Sequence, residues 1–214
     1  MTNYKSVWKH TLEKIRDSTA SEQPFATSGA ISLIVAVYGS SLVKMSLMLT
    51  LKKIRKQRTK ADINNIIDQL DQSSASLCKL ADKDIIAFHG FLGAIALTPK
   101  DEQTRKRRAA MIKSGRLASI RVPLESGIEI LKLTDLIVAA VPLCATPLLC
   151  DLAVASNMIY TAVQNLGWSV KVNAAKLPPP QVEMLIEKVQ QMDRKAKRSS
   201  TIVNREVTRK LKGL

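Results

Sequence analysis

Residues 29–51 read GAISLIVAVYGSSLVKMSLMLTL, with Lys44 as their single charge. A run of this length without Pro, Asn or Asp is too long for one strand, and its apolar positions cover nearly every face of a helix rather than one stripe. That is the pattern of a helix buried on all sides. Gly29, Ala30, Ser32, Ala36, Gly39, Ser40 and Ser41 are small, so neighbouring helices can approach its backbone closely. Such a helix needs others around it, and the flanking sequence supplies them.

Upstream, Tyr4–Arg16 reads as a first helix with Val7, Trp8, Leu12 and Ile15 on one stripe. Ser18–Thr27 is a polar connector containing Pro24. Downstream, Asp62–Leu97 carries the clearest periodicity: Ile63, Ile66, Ile67, Leu70, Leu77, Leu80, Ala81, Phe88, Leu92 and Ile95 share one seam. Asp84 sits on that seam, and a carboxylate there is paired, displaced to the edge, or functional. Pro99 closes the segment, and Asp101 and Glu102 suit the first turn of a charged helix running to Arg121. Pro123 marks a break or kink before Leu124–Leu136. The proline-interrupted Val141–Pro147 is a connection, and Asp151–Val172 is a second buried helix. Leu177-Pro178-Pro179-Pro180 is a rigid stop, and Gln181–Leu214 is one basic helix or a pair. No strand pattern competes. The expectation is an all-α helical bundle with long buried small-residue helices, a single domain over 1–214, with 193–214 as a basic C-terminal helix or tail.

Composition agrees. Hydrophobic residues are 46 % but aromatics only 4 %, with 8 Gly and 8 Pro, a mix that suits helices packed through Ala, Leu and Ile better than a β-sandwich. Cys78, Cys144 and Cys150 fit neither a disulfide framework nor a zinc pattern, so they read as reduced thiols in a cytoplasmic protein, and no metal is expected. Thr27–Val43 and Leu136–Cys150 are marginal or short against the roughly 20 apolar residues of a membrane span, so no span is expected. The net charge of +15 gathers at Lys52–Lys60, Lys100–Arg121 and Arg194–Lys212. Such a surface attracts polyanions, or is simply a set of solvated helix faces. The sequence has no Walker loop, GxGxxG, HExxH or GxSxG. Its basic runs lack the interleaved aromatics of a base-stacking platform. Neither histidine, His10 or His89, stands out as a base.

The order of local patterns from Pro24 to about Leu177 resembles the cyclodeaminase/cyclohydrolase family. That family opens with a glycine-rich loop running into a buried small-residue helix that ends in a Met and an L-T. The equivalents are Thr27-Ser28-Gly29-Ala30, Met45 and Leu49-Thr50. A D-x-x-A-F follows as Asp84-Ile85-Ile86-Ala87-Phe88, then L-P-K as Leu97-Thr98-Pro99-Lys100. An Arg and a V-P-L follow as Arg108 and Val122-Pro123-Leu124. The family's S-D is Cys150-Asp151, and its late Asn is Asn165 or Asn173. Of the three loop glycines only Gly29 remains, Lys52 replaces a further family glycine, and the family's G-N is Cys144-Ala145. Side chains at those positions narrow or remodel a pocket built on exposed backbone N–H groups.

The resemblance implies a cytoplasmic enzyme that takes a tetrahydrofolate derivative as substrate. It either hydrolyses methenyltetrahydrofolate to formyltetrahydrofolate or cyclises formiminotetrahydrofolate with release of ammonia. Both reactions need a positioned acid/base beside a cationic carbon, which a carboxylate suits. The resemblance makes Asp151 and Asp84 the catalytic candidates, and Ser28, Gly29, Met45, Lys53 and Arg108 the folate-binding ones. Asp151 would otherwise cap its helix, Asp84 pair with a base such as Arg108, and Lys53 lie on a solvated face. A homodimer is also implied. The alternatives are a family member that has lost catalysis and serves as a binding or assembly subunit, and, less favoured, a nucleic-acid or acidic-surface binding protein.

Overall fold

In the computed structural model, residues 5–175 and 177–212 are described, and among them every regular element is helical. A single 3-10 turn at Val7–Lys9 precedes α1 (Leu12–Thr19), α2 (Ser28–Leu51), α3 (Gln57–Ala96), α4 (Glu102–Ala140), α5 (Leu149–Ala174) and α6 (Pro179–Leu211). α5 runs through the centre, packed on α2, α4 and α6, while α2 also packs on α3, and α3 on α4.

The expected first helix is divided. Thr11 caps α1 by accepting from the Lys14 N–H, and this resets the chain after Val7–Lys9. Val7 is fully buried and its N–H donates to Asp82 Oδ1, while Trp8 Nε1 donates to the Cys78 carbonyl. Leu12 is left exposed, so the four residues do not share a stripe. Tyr4 lies outside the described residues.

α2 is not buried on all sides. Gly39 lies against the Ala155 carbonyl and Ile159 of α5, where a Cβ would meet atoms at 3.1 and 3.0 Å. The Ser40 hydroxyl accepts from that of Ser74 on α3. The outward face carries Tyr38, Met45, Met48 and Leu49, all exposed. α2 (Ser28–Leu51) and Thr146–Ala174 are long and apolar enough to cross a membrane, with 56 % and 39 % of their most apolar windows buried inside the protein. The second is not the Leu136–Cys150 run, which the α4–α5 connection interrupts.

α4 is continuous through Pro123. Proline lacks the N–H that would bond the Ser119 carbonyl, and that carbonyl instead accepts from Asn173 Nδ2 of α5, at 3.4 Å. α6 is one helix opened by Pro179 and Pro180. Near its C-terminus Lys210 Nζ donates to the Val141 carbonyl at 2.8 Å, satisfying an acceptor just past the end of α4. The outer halves of α3 and α4 form an arm beyond the body: within residues 86–119 only Ala94 is buried.

Candidate active site

The site begins at Thr27. Its hydroxyl caps α2 and also donates to Asp84 Oδ2, and the Ala30 N–H donates to the same oxygen at 3.0 Å. A carboxylate from α3 therefore sits on the first turn of α2, where unsatisfied N–H groups and the helix dipole favour negative charge. Gly29 permits this approach: a Cβ there would stand 2.7 Å from both carboxylate oxygens. Among the described residues nothing hydrogen-bonds Oδ1, so one oxygen is pinned and the other is open. Burial pushes the Asp84 carboxyl above its ordinary range; the Thr27 and Ala30 hydrogen bonds pull the other way without cancelling it.

Asp84 lines a cavity of about 260 Å³ where four helices meet. α2 contributes Ser28 and Gly29 at its start. Ala87, Phe88 and Phe91 continue the wall along α3, one and two turns beyond Asp84. α4 contributes Gly115, Arg116, Ser119 and Pro123, and α5 adds Ser169 and Asn173. Asn173 also donates to the Ser169 carbonyl at 2.8 Å, so the carbonyl freed by Pro123 and a helical neighbour fix its side chain together. A Cβ on Gly115 would meet Phe91 at 2.9 Å, which places the adjacent Arg116 level with Phe91. Seven residues of helix put that level about 10 Å from Asp84 at 1.5 Å per residue. The cavity thus has a half-buried acid at one end and a cation at the other.

Of the expected site residues, Ser28, Gly29 and Asp84 come together here. Arg108 does not pair with Asp84: its Nε donates to the Ala94 carbonyl at 3.2 Å and its guanidinium to that of Ile95 at 3.1 Å, closing the end of α3. Met45 lies on the outward face of α2. Lys53 follows the far end of α2, and Asp151 lies near it, because Thr50 Oγ1 accepts from the Ala145 N–H just before α5. The 20 residues from Ala30 to Thr50 separate that end from Asp84 by about 30 Å along the helix. Within one chain Asp151 and Asp84 cannot act on the same atom. Nor does Asp151 cap α5: Leu148 is its N-cap, and Asp151 lies inside the first turn.

The cavity also gathers residues that sequence reading passed over: Phe91, Arg116, Ser119 and Ser169. Their signal was the four-residue spacing of Gly115, Ser119 and Pro123, and of Ser169 and Asn173, but small polar residues at such spacing are common on any helix. Among the described residues no three His, Cys, Asp or Glu side chains are placed to hold a metal.

Residues 11–192 match the sequence profile of the formiminotransferase-cyclodeaminase family. Over 167 residues the chain is 25 % identical to a methenyltetrahydrofolate cyclohydrolase of Methylorubrum extorquens, covering 78 % of this chain and 80 % of that protein. It is 26 % identical over 145 residues to a formimidoyltransferase-cyclodeaminase of Rattus norvegicus, covering 68 % of this chain and 27 % of the rat protein. The solved structure of a formiminotetrahydrofolate cyclodeaminase from Thermotoga maritima superposes with a TM-score of 0.69 at 19 % identity, over 94 % of this chain and 98 % of that one.

Proposed function

The chain belongs to the formiminotransferase-cyclodeaminase family, and from that premise we propose that it is a one-carbon folate enzyme with Asp84 at its reacting centre. The observation that carries the reading is the carboxylate itself. It is half-buried, pinned through Oδ2 by Thr27 and Ala30, has no hydrogen bond to Oδ1 among the described residues, and lines a cavity walled by Phe88 and Phe91. A methenyl carbon carries positive charge shared with its two nitrogens, and an anion fixed beside it stabilises that charge without reorganising. In hydrolysis, a water donates its proton to Asp84 as its oxygen bonds to that carbon. Asp84 then returns the proton to the departing ring nitrogen as the carbon–nitrogen bond breaks, and the hydroxyl left on the carbon gives up its own proton to solvent as it becomes the formyl carbonyl. In cyclisation the same carboxylate moves a proton between the attacking nitrogen and the departing ammonia. A carboxyl raised above its ordinary range is the better base for either step.

The loss of two loop glycines fits this geometry. Thr27 replaces one of them, and its hydroxyl holds the acid. Ser28, Ser119 and Ser169 offer hydroxyls to a polar head group, and the cavity falls near the roughly 300 Å³ lower end for small-molecule sites. It takes a head group and leaves the rest of the ligand outside.

The outward faces of α2 and α5, which pack side by side, suit the family's expected homodimer. Tyr38 and Met45 on one, and Val154, Trp168 and Val172 on the other, are exposed, while Lys44 is engaged by Asp71 at 2.6 Å. A second copy would bury this mostly apolar face, where the Lys171 ammonium stacks 4.6 Å from the Trp168 ring, and light scattering at micromolar concentration tests it: Tyr38→Arg should yield monomer.

Loss of methenyl absorbance in purified protein, measured against buffer, tests the activity. Release of ammonia from formiminotetrahydrofolate tests the sister reaction. A protein that accelerates neither would refute catalysis and leave the binding-subunit reading.

A further inference from the structure

The cavity is not the only hollow at this end of the bundle. Beside it lies a second, of about 400 Å³, between the outer half of α4 and the segment that follows α5. Its walls are apolar, from Ile112, Leu117, Ile120 and Leu177, with Lys113 at the edge. Arg116 and Asn173 line both hollows, so the two adjoin across those side chains. From Asp84 outward, a ligand would meet a carboxylate, then aromatic walls, then a guanidinium, then an apolar trough edged by an ammonium.

The two cations are uncommitted. Among the described residues neither the Arg116 guanidinium nor the Lys113 ammonium has an ion pair or hydrogen bond. On the same helix Arg105 is held by Glu102 at 2.9 Å, Arg108 by two carbonyls, and Arg121 by Glu125 at 3.6 Å. An arginine within reach of a ligand and free of protein partners is suited to a carboxylate, which its planar fork binds in two places.

We infer that this second hollow is the subsite for the acidic tail of the substrate, with one carboxylate on Arg116, the tail's hydrocarbon stem along the apolar trough and the other carboxylate on Lys113. The inference rests on the folate reading above and assigns the direction in which the molecule lies: head group at Asp84, tail along α4. The head fills the smaller cavity, and the tail passes into the hollow that shares Arg116 and Asn173 with it. The subsite supplies binding rather than chemistry.

Three compounds test it: methenyltetrahydrofolate, the same compound with both tail carboxylates capped as amides, and a methenyl head-group fragment lacking the tail. Capping should raise KM about tenfold in the wild-type protein, the size expected for losing charge-assisted contacts. In Arg116→Gln and Lys113→Gln the penalty for capping should shrink toward nothing, because substrate and protein then lack the same interaction. The natural compound's KM should also rise more than the fragment's, and its dependence on salt should weaken. Circular dichroism confirms that each variant is folded. Wild-type turnover with an unchanged capping penalty in both variants would overturn the subsite and leave the folate reading standing. A wild-type protein that neither binds nor converts any of the three would overturn both.

Discussion

Replacing Asp84 by Asn separates a catalytic acid from a structural one. The amide oxygen can still accept from the Thr27 hydroxyl and the Ala30 N–H, so the junction between α2 and α3 survives. What is lost is the negative charge and the proton acceptor at Oδ1. General-base catalysis is worth about 10²–10⁴-fold, equivalent to roughly 3–5 kcal/mol of barrier, and kcat should fall within that range. Stability should move the other way. Because burial raises the Asp84 pKa, the folded state holds that proton more tightly than the unfolded chain. The stability of the protonated form is fully present below the ordinary carboxylate pKa. It is lost as pH rises through the raised folded value. The variant has no such loss, so at neutral pH it should melt no lower than the wild type, and its profile should be flatter across that window. The methenyl assay and thermal melts at several pH values measure both. Activity within tenfold of wild type, or a melting temperature well below it at neutral pH, would refute the reasoning.

Gly29→Ala places a Cβ 2.7 Å from the Asp84 oxygens. The forced shift should cost about 1–3 kcal/mol and reduce kcat as the carboxylate leaves its position, read by melting and turnover together. Asn173→Ala strands the carbonyl that Pro123 frees and should cost about 1 kcal/mol, seen as a lower denaturation midpoint with unchanged denaturant dependence. Asp151→Asn, near the far end of α2, should leave kcat within about twofold; a loss approaching that of Asp84→Asn would place a second chain's α5 beside the cavity.

The helices were legible where pattern and length coincide. Residues 29–51 announce α2, and the seam from Ile63 announces α3, because one face of apolar side chains at helical spacing has few other uses. The exposed face of α2 was not legible: an apolar residue left on the surface looks the same in sequence as one facing the core. The continuity of α4 through Pro123 was hidden because the compensating donor, Asn173, lies on another helix. Asp84 stood out as a carboxylate on an apolar seam, but its partner did not. Arg108 was the obvious candidate by charge, yet Thr27 holds the acid with a hydroxyl and the start of a helix. Asp151 and Lys53 carried a family pattern without carrying position, since proximity along α2 depends on which end each neighbour joins.

The arm formed by residues 86–119 has a consequence for how the protein would breathe. With Ala94 as its only buried residue, it has little apolar contact to hold it against the body. Amide hydrogens there should exchange far faster than those of α5, through openings that leave the rest of the fold intact. Phe88, Phe91 and Arg116 belong to that segment, so one wall of the cavity is built from a readily opened part of the molecule. Access to the site is then set by how often the arm lifts, and ligand binding should register as slowed exchange along it.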